Sequence, residues 1–112
     1  MDVSIPLIAD HPFAADALYR GRMLYTDVDG TLLGMGGSVL LGGDGVWSTA
    51  TAEAIVRVNQ AGLPVALCSG RNRIQLAEIS RLLGWRGFIA ELGCVLVPDR
   101  DADPIYNVGE WP

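Results

Sequence analysis

Two acidic side chains separated by one residue, Asp27 and Asp29, stand in the run Asp27-Val28-Asp29-Gly30-Thr31 and carry most of the chemistry this sequence offers. Along an extended chain, side chains two apart point the same way, so both carboxylates are presented to one spot. Like charges that close are costly unless a cation or a shared proton lies between them. Gly30 lets the backbone turn sharply just beyond the pair. The bland alternative is an acidic turn after a strand, with Thr31 opening the next element. A calcium loop fits less well, because an EF-hand needs a third oxygen ligand before its glycine and a Glu at its twelfth position, where this sequence has Ser38.

The elements around this run must hold it in place. Met23-Leu24-Tyr25-Thr26 is a brief apolar strand leading straight into the acids, the pattern of the carboxyl edge of an open parallel sheet. Six of the fourteen glycines fall within residues 34 to 45, around the apolar run Ser38 to Leu41, which predicts a small flap or hairpin. Ser48 is placed to cap a helix running to about Gln60, with Glu53 in its first turn and Gly62 as its stop. Pro64 to Cys68 reads as a second buried strand whose carboxyl-end loop is Ser69-Gly70-Arg71-Asn72. A second helix is predicted over about Arg73 to Leu83, ended by Gly84; Phe88 to Ala90 is a third strand and Val95 to Val97 a fourth. Two successive right-handed crossovers of this kind build one half of a doubly wound α/β sheet. Residues 1 to 22, with a short helix from Pro12 to Tyr19, read as an extension.

Composition removes several function classes. Thirteen acidic against eight basic residues give a net charge of -5, which disfavours a nucleic-acid backbone or an anionic membrane as partner. Every basic residue is Arg, so lysine Schiff-base chemistry and a Walker A lysine are absent. Cys68 and Cys94 belong to no metal-binding spacing, and reduced thiols in a cytoplasmic protein are the default. Met1 to Ile5 opens with an acid and lacks the pattern of a signal peptide. Cys68 has Ile74 where a cysteine-dependent phosphatase needs Arg, and the glycine run fails the dinucleotide fingerprint at Val39. His11, the single histidine, lies in the extension and makes a Ser-His-Asp triad a poor reading.

The run Asp27-Val28-Asp29-Gly30-Thr31-Leu32-Leu33 resembles the first motif of the haloacid dehalogenase superfamily of phosphatases. Leu67-Cys68-Ser69-Gly70-Arg71 is similar to the second motif in its Ser/Thr-Gly-Arg form. Phe88 to Cys94 resembles the segment after the third strand in the Cof-like, sugar-phosphate branch, of the mannosyl-3-phosphoglycerate phosphatase kind. The resemblance implies an α/β, Rossmann-like three-layer core with a parallel sheet, here only its N-terminal half. Asp27 is then the nucleophile that becomes an aspartyl phosphate, and Asp29 the acid and base. Mg²⁺ would be held by the Asp27 carboxylate and the Asp29 backbone carbonyl. Gly30, Ser69 and Gly70 would take the phosphate, and Arg71 a phosphate or a carboxylate, bidentate if geometry allows. Without the resemblance, Ser69 is an ordinary helix cap and Arg71 a solvated first-turn side chain.

The departures shape the remaining expectations. Leu92 stands where the branch usually has Asn, so that residue's role is not inherited. The family's third and fourth motifs, a basic residue and further acids, have no room after Val97. Asp99, Asp101 and Asp103 read as a solvated linker, residues 98 to 112 forming a tail where a cap domain would begin, after a partial core over 23 to 97. On the family's topology the strand bearing Asp27 lies mid-sheet, so here it becomes an unprotected edge prone to self-association. Two functions follow: a truncated Mg²⁺-dependent phosphohydrolase acting on a small phosphorylated metabolite such as a sugar phosphate or phosphoglycerate derivative, or a non-catalytic module that binds Mg²⁺ or phosphate.

Overall fold

A computed structural model describes residues 22–107. Strand β1 (Leu24–Thr26) leads through the acidic loop and flap to helix α1 (Ala50–Gln60) and strand β2 (Val65–Cys68). Helix α2 (Arg73–Leu83) and strand β3 (Gly87–Ala90) follow, then β4 (Val95–Val97) and β5 (Ile105–Tyr106). The strands lie in the order β1-β2-β3-β4-β5. The first three are parallel, in the registers Tyr25 to Ala66 and Leu67 to Phe88, as a pair of crossovers requires. Beyond β3 the sheet departs from the all-parallel expectation, because β4 and β5 run antiparallel.

Both helices cover the same face. Ile55 of α1 and Leu76 of α2 join Val65, Leu67, Phe88, Ala90, Val95 and Val97 in one core. Asn59 ties the two helices: its Nδ2 donates to the Leu83 carbonyl at 2.9 Å and its Oδ1 accepts from Trp85 Nε1 at 2.7 Å. The described residues therefore make a sheet with one helical layer, one side of a doubly wound core. Alternation sends Tyr25, Leu96 and Ile105 to the other face, where they are 59, 37 and 53% exposed. Among the described residues β1 has β2 as its single strand neighbour and lies at the sheet edge.

The helix ends follow local chemistry. Asn72 caps α2 by accepting from the Gln75 N–H at 2.9 Å, and Gly84 ends it in the left-handed region at φ 82°. At α1 the N-cap position is Thr49, which makes no side-chain cap bond; Ser48, expected as the cap, sits one residue earlier and accepts from the Ala50 N–H. The flap holds a 3-10 turn at Met35–Gly37 and a bridge between Leu41 and Trp47. Residues 98 to 104 are the turn of the β4-β5 hairpin rather than a free linker: Arg86 holds Asp99 at 2.7 and 2.8 Å and Asp101 at 2.5 Å. The helix expected over Pro12 to Tyr19 lies outside the described residues.

Candidate active site

The site is assembled from the carboxyl tips of β1, β2 and β3. At the first tip, Val28 is fully buried while its neighbours Asp27 and Asp29 are exposed, so the alternation of the strand continues through the acidic run. The N–H groups of Thr31, Leu32 and Leu33 all donate to the Val28 carbonyl, and Gly30 turns the chain at φ 80°. Val28 is thus the anchor that fixes the two acids. Asp27 Oδ1 accepts from the Val28 N–H at 2.8 Å.

At the second tip, the Ser69 N–H donates to Ile89 O at 3.0 Å and extends the β2-β3 pairing. Ser69 Oγ accepts from the Arg71 N–H at 3.1 Å, closing the loop on itself; the cap of α2 is Asn72, three residues after Ser69. The third tip is bound to this loop by Glu91 N–H to Arg71 O at 3.0 Å and Leu92 N–H to Ser69 O at 3.3 Å. Glu91 and Leu92 have φ of 53° and 56°, unusual for residues with a Cβ and disfavoured by on the order of 1 kcal/mol each.

These tips enclose a cleft of about 290 Å³ lined by Asp27, Cys68, Ser69, Gly70, Ile89 and Leu92. A larger hollow of about 700 Å³ lies between Gly30 to Gly34 and the flap, away from Asp27 and Ser69. Asp27, Ser69 and Gly70 are thus brought together. Asp29 and Arg71 are joined to each other: Arg71 Nε donates to Asp29 Oδ2 at 2.7 Å and Nη2 to Oδ1 at 2.6 Å. Arg71 takes a carboxylate bidentately, and that carboxylate belongs to the chain itself. The hydrogen bonds from Arg71 hold the Asp29 carboxyl below its ordinary range, and Asp29 in turn raises the guanidinium. Burial, and then the nearby Asp27 charge, push the Cys68 thiol up, so it sits in the cleft as a neutral group. Cys68 and Leu92 were not legible as cleft residues; for Leu92 the signal was its departure from the Asn of the resembling branch.

Two hard oxygens are on offer to a divalent cation. One is the exposed Asp27 carboxylate; the other is the Asp29 carbonyl, to which no hydrogen bond is made among the described residues. Among those residues no three His, Cys, Asp or Glu side chains gather as a metal site. This donor set suits a small hard ion that keeps most of its coordination for water and phosphate.

The chain belongs to the haloacid dehalogenase-like hydrolases, whose family model matches residues 24–108. It is 30% identical, over 78% of its length, to a phosphatase of the haloalkanoate (HAD) enzyme superfamily from Bacteroides thetaiotaomicron, with a TM-score of 0.57. A protein from Geobacillus kaustophilus is 26% identical over 76% of the chain, with a TM-score of 0.54. A haloacid dehalogenase-like hydrolase from Bacteroides thetaiotaomicron shares the fold at a TM-score of 0.60 and 18% identity over 76%. This chain covers 29, 29 and 30% of those three chains. Comparison with curated proteins gives no match. Among the described residues no helix is long and apolar enough to cross a membrane.

Proposed function

We propose that this chain carries the nucleophile half of a Mg²⁺-dependent phosphohydrolase acting on a small phosphomonoester. The observation that carries the reading is the exposed Asp27 carboxylate at the tip of β1, opening into the same cleft as Ser69 and Gly70. An Asp27 oxygen attacks phosphorus, the bond to the alcohol oxygen breaks, and an aspartyl phosphate forms. Asp29, once phosphate has drawn Arg71 from it and it has taken up a proton, gives that proton to the departing oxygen; water then attacks phosphorus, Asp29 takes the water's proton, and orthophosphate leaves. The Ser69 hydroxyl and Gly70 N–H support the phosphoryl oxygens, and Gly30 keeps the backbone beside the acids free of a side chain. Asp27 and the Asp29 carbonyl would hold Mg²⁺, which supplies charge neutralisation between carboxylate and phosphate when bound. Free thiols at Cys68 and Cys94 suit a reducing compartment, so a cytoplasmic location belongs to the proposal.

The test is hydrolysis of p-nitrophenyl phosphate by the purified chain with Mg²⁺, beside Asp27→Asn. Turnover that falls at least about a thousandfold in the variant is expected of a lost nucleophile. Two observations favour a second reading, a module that binds Mg²⁺ or phosphate without turnover: Asp29 is already held by Arg71, and no third acid joins the pair among the described residues. No turnover in either protein, with orthophosphate still bound, selects that reading.

A further inference from the structure

Leu92 is kept under two unfavourable conditions at once. Its φ of 56° lies in the left-handed region, where Asn and Gly are tolerated and a branched apolar side chain is not. The residue is 88% exposed, so the strain is not offset by core packing. Three backbone hydrogen bonds hold the turn there: Glu91 N–H to Arg71 O, Leu92 N–H to Ser69 O and Cys94 N–H to Glu91 O. The side chain lies over Gly70, where a Cβ would come within 3.2 Å of Leu92 Cδ2, and it forms one wall of the cleft that holds Asp27. The same cleft is lined by Ile89 and the neutral Cys68, and the nearby Arg71 guanidinium is turned to Asp29. A strained, solvated leucine at the mouth of a reactive cleft is a residue held for contact with what enters.

We infer that Leu92 is a specificity-determining residue: it is the apolar wall against which the organic part of the phosphomonoester, next to phosphorus, packs. The site then prefers esters with an apolar or aromatic alcohol over polyhydroxylated ones, whose hydroxyl groups would lose water against Leu92 and Ile89 without gaining a partner. This assignment rests on the phosphohydrolase reading and replaces the sugar-phosphate class expected from the sequence.

The experiment measures binding of benzylphosphonate and 2-hydroxyethylphosphonate to the full chain with Mg²⁺, with orthophosphate as the reference. The wild type is expected to prefer the benzyl compound, and Leu92→Asn, whose new residue suits the left-handed turn, to lose about tenfold of that preference. Its melting temperature should not fall, which separates lost contact from lost fold; if melting is no longer cooperative, Leu92→Gly is read in its place. A preference that is unchanged in a folded variant overturns the assignment alone. Failure of the wild type to bind any of the three ligands overturns the phosphohydrolase reading and the assignment with it.

Discussion

Arg71 spends its fork of donors on Asp29, the residue to which the reaction assigns a proton. The pair is solvent-accessible, with side chains 31 and 53% exposed, so its net strength is modest and an incoming phosphate competes for the same guanidinium. Asp29→Asn is expected to tighten orthophosphate binding by about two- to fivefold, since the internal competitor is weakened. The gain should vanish in an Arg71→Met background; a double-mutant cycle read by calorimetry checks it, and equal gains in both backgrounds would show a general charge effect. That the two acids emerge together at the strand tip was legible from their spacing and the glycine after them. The contact between Asp29 and Arg71 was not, because it spans 42 positions and depends on which of two available anions the guanidinium meets first.

At the scale of elements, local signals did well where local chemistry decides. Helix α2 begins and ends where Asn72 and Gly84 dictate, and the three parallel strands fall within a residue or so of their apolar runs. The turn after β4 was read as a linker because three aspartates in seven residues look solvated. Their order comes from Arg86, just before β3, which no local pattern connects to them. Arg86 hydrogen bonds, and then the Asp101 N–H, lower the Asp99 carboxyl from 3.8 to about 2. A depressed folded value means the stabilisation is fully present above the unfolded value and is lost as pH falls through the folded one. Arg86→Gln should therefore melt below wild type at neutral pH, and the gap in Tm should close as pH drops from about 4 towards about 2. A gap that stays constant through that window would remove Asp99 from the account.

At the scale of the whole sheet, the edge of β1 and the sheet face opposite the helices, both without a covering element among the described residues, act together. Met23 and Tyr25 are 42 and 59% exposed beside a strand edge that has no partner among the described residues, an invitation to a further strand. The chain is expected to sediment as a concentration-dependent mixture of monomer and larger species, and Tyr25→Lys to shift that mixture towards monomer. A wild-type chain that stays monomeric across a hundredfold range of concentration by analytical ultracentrifugation would contradict this.

The three tips that carry Asp27, Ser69 and Leu92 belong to adjacent strands of one ladder, so their separation is set by main-chain pairing at about 4.8 Å per step. That makes the sheet a gauge. Replacing the residues at its rim alters which molecules are welcome, but the bore stays fixed unless the ladder itself is broken.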